Sequence, residues 1–219
     1  MKNIMKLASI ALVLLFTLFG LTNKASAAKL TLYCSVEIDV CEMLEQAYEK
    51  ETGTKVAMTR ASSGETFAKI KAESSNPKGD VWFGGTGDPH LTAAQENLTA
   101  EYKSAHFNDL LPAAQNQAKN ANYKSVGIYV GALGFGYNKD IIASKGLPEP
   151  KSWEDLTDPV YKGEIQIANP NSSGTAYTTL ATILQIFGEE KGWDYMKALH
   201  LNINQYTKSG SAPIKATAR

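Results

Sequence analysis

The sequence predicts an α/β protein with two lobes, each built on an open and mostly parallel β-sheet. Three apolar, strand-like runs each precede a helical pattern: Leu30–Tyr33, Lys55–Met58 and Val81–Phe83. A second series of strand and helix patterns begins at Gly163–Ala168. This alternation is typical of βαβ units, in which helices connect parallel strands.

The first helical pattern is the clearest in the chain. Asp39 with Glu42 predicts a capping pair at its start, and Gly53 predicts its end. Apolar side chains recur at the spacing of one helix face, which we expect to be buried. They are Val40, Met43, Leu44, Ala47 and Tyr48.

The boundary between the lobes is expected where the alternation of strand and helix patterns is interrupted. Residues 127–138 form a long apolar pattern punctuated by glycines, without a helix of its own, and predict a strand that crosses between lobes. We therefore assign residues 28–130 to lobe 1 and residues 131–219 to lobe 2. No internal repeat or low-complexity segment is present.

The first 27 residues have the features of an export signal. Lys2 and Lys6 precede an apolar run over 7–21, and Ala25-Ser26-Ala27 has the form of a signal-peptidase site. We expect cleavage after Ala27. Because no cysteine lies near that point, we expect a free periplasmic protein rather than a lipoprotein.

Charge and cysteine content narrow the functional classes. The formal net charge is zero and the lysines are interspersed with glutamates, so the basic stripe of a nucleic-acid-binding protein is missing. Cys34 and Cys41 are the two cysteines. In an oxidising compartment such a close pair is expected to form a disulfide, and two buried thiols are the alternative.

Four short segments rich in Gly, Ser and Thr lie where a strand pattern ends and a helix pattern begins. Helix starts expose unpaired backbone amides, and small residues let a ligand approach them, so such segments are natural anion sites. Capping is the simpler explanation for any single segment, as Ser62 with Glu65 and Asp88 before Pro89 illustrate. Four together favour a ligand cleft. They are Ser62–Thr66, Gly84–His90, Asn171–Thr175 and Ser209–Ser211.

Metal binding and catalysis have weaker support. His90, His106 and His200 lack the spacing and neighbours of a zinc site, and His90 alone follows a glycine-rich segment and is kept as a candidate. Known phosphate-loop and nucleophile-elbow motifs are missing. Glu65 and Asp88 have no nucleophile paired with them. We expect a protein that is not an enzyme and that needs no cofactor.

Several motifs resemble one branch of the periplasmic solute-binding proteins. The segments Thr52–Val56, Ser62–Thr66, Asn76–His90 and Ser209–Ser211 are similar to the ferric-binding-protein-like branch, which also includes binders of hexose phosphates and of 2-aminoethylphosphonate. The resemblance implies the type 2 periplasmic-binding-protein fold, with two lobes of open mixed sheets that are joined by crossing strands and close over the ligand. It also implies that the second lobe is incomplete at Arg219. Closure of the cleft and independent folding of this chain are therefore expected to be weakened.

The resemblance also indicates which ligand to expect. Ferric relatives hold iron through a histidine, a glutamate and two late tyrosines, whereas Cys34–Glu37 and Gly84–Thr86 stand at the first two positions here. The anion-binding segments match better, so we expect a small anionic solute, an organophosphate or phosphonate, delivered to an ABC permease of the inner membrane by a monomer. Ferric binding with a synergistic anion and a secreted phosphate-ester hydrolase are the alternatives. The residues expected to contact the ligand are Ser35, Ser63, Gly64, Thr66, Gly85, Thr86, Asp88, His90, Ser172, Ser173, Gly174, Thr175, Ser209 and Ser211.

Overall fold

The computed structural model describes residues 29–219, so the expected signal peptide and its cleavage site lie outside the described residues. No helix within 29–219 is long and apolar enough to cross a membrane. The strands are β1 Lys29–Cys34, β2 Lys55–Arg60, β3 Val81–Phe83, β4 Ile165–Ala168 and β5 Ile203–Thr207. The α-helices are α1 Ile38–Thr52, α2 Ser63–Ala72, α3 Gly87–Gln95, α4 Pro112–Asn120, α5 Lys139–Ser144, α6 Gly174–Phe187, α7 Glu189–His200 and α8 Ala212–Thr217.

Lobe 1 contains a parallel sheet in the order β2-β1-β3. Leu30 lies opposite Val56, and Tyr33 lies opposite Trp82, so the three strands end at the same edge of the sheet. Parallel strands place the loops that follow them on one side. This edge therefore carries the Ser62–Thr66 and Gly84–His90 segments.

Helix α1 differs from its sequence-based expectation in two ways. It begins at Ile38 after Glu37, so the predicted Asp39–Glu42 capping pair is wrong, whereas the end at Gly53, with φ 70°, is confirmed. The helix turns Cys41 toward the sheet, where it is fully buried and forms a disulfide with Cys34. Met43, Ala47 and Tyr48 consequently face outward, with Met43 59% and Tyr48 42% exposed, so the expected buried face is wrong for these three.

The apolar core of lobe 2 is built mainly from helices, unlike the core around the sheet of lobe 1. Strands β4 and β5 are parallel, with Ile167 opposite Tyr206. Its core forms between the helices and the loop before β4, from Leu156, Ile183, Tyr195 and Leu199. A cavity of about 390 Å³ lies beside β4.

The predicted crossing strand is not formed. Residues 125–138 have no regular secondary structure, and no strand of the described chain pairs with them. An isolated extended segment lacks the neighbour that would accept its ladder hydrogen bonds. The Tyr129 hydroxyl nevertheless contacts Gly85 of lobe 1 at 2.8 Å, and Gly136 lies beside Ile214 of lobe 2. The lobe boundary stays a prediction.

Candidate functional site

The four Ser- and Gly-rich segments meet between the two lobes. Each follows a strand, namely β2 and β3 in lobe 1 and β4 and β5 in lobe 2. The Gly64 N–H group donates a hydrogen bond to the Ser172 carbonyl oxygen at 3.0 Å, which joins two of the segments directly. A Cβ atom at Gly174 would lie 2.0 Å from Thr86 Oγ1, so the other lobe 1 segment also contacts lobe 2.

Lobe 1 supplies a crowded cluster around Ser63. The Ser63 Oγ atom accepts from the Thr86 N–H group at 3.3 Å. Gly85, with φ 91°, is so close that a Cβ atom there would lie 2.2 Å from Ser63 Oγ. Only glycine fits this conformation and this spacing. The Thr86 hydroxyl is buried at the contact between the lobes and has no hydrogen-bond partner among the described residues.

Ser35 and Thr66 lie behind this cluster rather than on its surface. Their hydroxyl oxygens are 3.1 Å apart, and the Trp82 indole N–H group donates to Ser35 Oγ at 2.9 Å. Thr66 is 1% exposed. Both hydroxyls are engaged within lobe 1, which suits them to positioning the cluster.

Lobe 2 supplies serines that also stabilise helix and loop structure. Ser173 Oγ accepts from the Ala176 N–H group at 3.3 Å and so caps α6. The Ser172 hydroxyl donates to the Lys208 carbonyl oxygen at 3.0 Å, and Ser209 Oγ lies 3.1 Å from Ser211 Oγ. Gly210 brings the two segments together, since a Cβ atom there would lie 2.6 Å from Thr175 Oγ1.

The capping explanation is correct for Ser62 and for Ser173. The Ser62 N–H group donates to the Glu65 carboxylate at 3.3 Å, as a capping box requires. The capping explanation is wrong for Asp88. Helix α3 begins at Gly87, directly after Thr86, and Asp88 is an exposed residue of its first turn. Capping and ligand contact are compatible, since a helix start has several free amides.

His90 lies beside the site and faces the interior of lobe 1. Its ring stacks on Trp82 with 3.6 Å between centroids, and Nε2 is 2.8 Å from the Gly84 carbonyl oxygen. Burial lowers the pKa of His90, and the hydrogen bond to Gly84 opposes this effect. His90 is therefore neutral at pH 7 and supports the Gly84–Gly85 turn.

Three charged residues that were not predicted from the sequence lie at the site, namely Arg60, or beside it, namely Glu37 and Lys215. Arg60 Nε donates to the Val36 carbonyl oxygen at 3.0 Å, and its terminal nitrogen donates to Ser209 Oγ at 3.3 Å. Lys215 of lobe 2 pairs with Glu37 of lobe 1. Hydrogen bonds from Lys215 and then Ser211 lower the pKa of Glu37. The position of Arg60 at the end of β2, directly before the Ser62 segment, is the one signal that could have identified it.

The chemistry of the site is that of a binding surface. Hydroxyls, backbone amides and the Arg60 guanidinium can all donate hydrogen bonds to an anion. Within residues 29–219, no group of three His, Cys, Asp or Glu side chains is placed to hold a metal ion.

Known proteins resemble this chain over most of its length. An uncharacterized protein of Haemophilus influenzae is 44% identical over 213 residues, which are 96% of this chain and 62% of that protein. The solved structure of the periplasmic binding protein AfuA from Actinobacillus pleuropneumoniae, with exogenous fructose-6-phosphate bound, is 46% identical with a TM-score of 0.85. The match covers 89% of this chain and 61% of AfuA, so the chain spans about three fifths of the length of these relatives.

Two further structures confirm the fold. The periplasmic binding protein P5PA is 41% identical with a TM-score of 0.80, over 83% of this chain and 58% of P5PA. Iron-bound HitA from Pseudomonas aeruginosa is a distant relative at 22% identity, with a TM-score of 0.64, over 87% of this chain and 59% of HitA, and shows the fold alone. The predicted α/β periplasmic-binding-protein fold is therefore confirmed.

The family itself is shown by a match over most of the described chain. The family described as bacterial extracellular solute-binding protein matches residues 82–218, which include lobe 2 and the Gly84–His90 segment of lobe 1. Such proteins are components of transport systems rather than enzymes. This chain belongs to the bacterial extracellular solute-binding protein family.

Proposed function

We propose that the chain is the solute-capturing part of a periplasmic binding protein that serves an ABC importer. Its ligand is a small anionic solute, an organophosphate or a phosphonate, held between the two lobes without a metal ion. The protein acts as a monomer and delivers the solute to a permease of the inner membrane. Family membership and the similarity to AfuA support the transport role.

The convergence of four strand-to-helix segments carries the proposal. Each lobe contributes two segments that start a helix, and helix starts present backbone amides and hydroxyls that can donate to an anion. The segments touch directly in this structure, as the 3.0 Å bond between Gly64 and Ser172 shows. A solute therefore enters when the lobes separate, and it takes up bonds such as the one that the Thr86 hydroxyl lacks.

Arg60 supplies the positive charge that a phosphate needs. Hydroxyls and amides donate hydrogen bonds to an anion but carry no net charge that would neutralise it. A guanidinium group is positively charged and binds phosphate through paired, charge-assisted hydrogen bonds. Arg60 is held by Val36 of lobe 1 and reaches Ser209 of lobe 2. It therefore lies where both lobes can contact one ligand.

Calorimetry in the presence of a chelator tests the proposal. Fructose 6-phosphate and 2-aminoethylphosphonate are the probes, and Ser209→Ala is the main variant, because Ser209 makes no helix cap. Loss of one hydrogen bond to a charged group is expected to cost about 1.5 to 3 kcal/mol, or about ten- to hundredfold in affinity. Ser173→Ala should weaken binding similarly and also destabilise α6.

The matched control is Ser144→Ala. In the native chain the Ser144 hydroxyl donates to the Ile141 carbonyl oxygen on an exposed face of lobe 2. It should leave affinity unchanged. Binding that appears only with ferric ion, together with a silent Ser209→Ala variant, would favour the iron alternative. Turnover of phosphate esters by the purified protein would favour the hydrolase.

A further inference from the structure

An ion pair connects the two lobes beside the candidate site. Glu37 directly precedes α1 in lobe 1, and Lys215 lies in α8 of lobe 2, 178 residues further along the chain. Besides Lys215, Ser211 of lobe 2 and the Arg60 guanidinium also lower the pKa of the Glu37 carboxylate. One carboxylate of lobe 1 thus pairs with a cation of lobe 2.

This pair differs from the other ion pairs of the described residues. Those formed by Lys55 and Lys71 lie within lobe 1, and those formed by Lys145 and Lys197 lie within lobe 2. Separation of the lobes leaves all of these intact. It breaks the pair between Glu37 and Lys215, so the energy of this pair depends on whether the lobes are closed.

We propose that the Glu37–Lys215 pair is an electrostatic latch that stabilises the closed arrangement of the lobes. The link to solute affinity rests on the function proposed above. When a ligand needs the closed form, its apparent affinity scales with the population of that form. The latch therefore sets affinity without contacting the solute.

The partial exposure of the pair makes the latch weak enough to open. The Lys215 and Glu37 side chains are 58% and 38% exposed, and solvent screens such pairs. Loss of the pair is expected to change the ratio of closed to open molecules by about two- to fivefold. A stronger tie would hold the lobes shut and slow the exchange of solute.

Distance measurements without solute test the latch independently of ligand identity. Spin labels at Gln46→Cys on α1 and Lys191→Cys on α7, both exposed positions, report the separation of the lobes by pulsed EPR. Glu37→Gln and Lys215→Gln should each shift the distribution toward the open form by the factor given above. The double variant should be no more open than either single variant, because both remove the same interaction.

The charge exchange Glu37→Lys with Lys215→Glu should restore closure, which separates the latch from a folding defect. Glu49→Gln is the matched control, since Glu49 pairs with Lys55 inside lobe 1 at 2.8 Å. Unchanged distances in Glu37→Gln, additive effects, or tighter solute binding in that variant would each overturn the latch. A shifted distribution in a protein that binds no phosphorylated solute would overturn the proposed function and leave the latch standing.

Discussion

Lobe 1 and lobe 2 contribute the same kind of loop to the site but are stabilised by different means. In lobe 1 the segments around Ser63 and Gly85 extend from a three-stranded sheet whose central strand is tied to α1 by the Cys34–Cys41 disulfide. In lobe 2 the segments around Ser173 extend from two strands that pack on a larger apolar cluster. Similar site geometry therefore does not require a similar core, because parallel strand ends fix the positions of the loops.

Removal of the disulfide should affect lobe 1 far more than lobe 2. Closing a loop between residues seven positions apart restricts the unfolded chain, and its loss is expected to cost about 2 to 3 kcal/mol. Hydrogen exchange of a Cys34→Ser, Cys41→Ser variant should show faster exchange in β1 and α1 and unchanged exchange in α6 and α7. Equal acceleration in both lobes would mean that they unfold as one unit.

The oxidation state is checked directly by mass after alkylation. Protein exported to an oxidising compartment should add no alkyl groups unless it is first reduced. Two alkylated cysteines without prior reduction would show that the sulfur atoms are buried thiols. The comparison of the lobes would then rest on their apolar cores alone.

Gly64→Ala should break the contact between the lobes while strengthening the lobe that carries it. A Cβ atom there would lie 2.5 Å from the Asn171 carbonyl oxygen and 2.9 Å from that of Ser172, both backbone atoms of lobe 2. Such overpacking costs about 1 to 3 kcal/mol, or about five- to 150-fold in solute affinity. Gly64 is the second residue of α2, and alanine there restricts the unfolded chain more than glycine does, which favours the folded lobe by about 0.4 to 1 kcal/mol.

Calorimetry and thermal unfolding together measure the two opposite effects. Gly131→Ala is the control, because a Cβ atom at Gly131 would meet nothing within 4 Å. It should change neither affinity nor closure. Undiminished affinity in Gly64→Ala would show that ligand binding does not require the contact between Gly64 and lobe 2.

Local signals in the sequence predicted much of the fold and of the site. Gly53 marks the end of α1 because a left-handed residue there favours glycine, and Ser62 with Glu65 marks the start of α2. Strand ends are also local, so the four site segments were identifiable before their contacts were known. Parallel topology then brings them together.

Long-range contacts and missing partners could not be predicted in this way. Nothing near Glu37 in the sequence indicates Lys215, because the pair forms only when two lobes meet. The outward face of Met43 follows from the side that Cys41 turns to the sheet, which periodicity alone does not define. The strand pattern over 127–138 has the right composition but lacks a neighbouring strand within the described chain.

The smallest expected effect concerns the pH dependence of the two lobes. His90 of lobe 1 is half-buried and stacks on Trp82, and this burial lowers its pKa below the ordinary value of 6.5, whereas His200 of lobe 2 is exposed. Well above pH 6.5 the imidazole is neutral in folded and unfolded chains alike and contributes no pH dependence. As the pH falls through 6.5, the unfolded chain binds a proton that the native chain does not, so stability decreases, by at most about 1.4 kcal/mol per pH unit. Urea unfolding at pH 7 and pH 5.5 should therefore show a loss of stability that His90→Gln reduces. A loss of equal size in the His90→Gln variant would place the titrating group elsewhere and remove this distinction between the lobes.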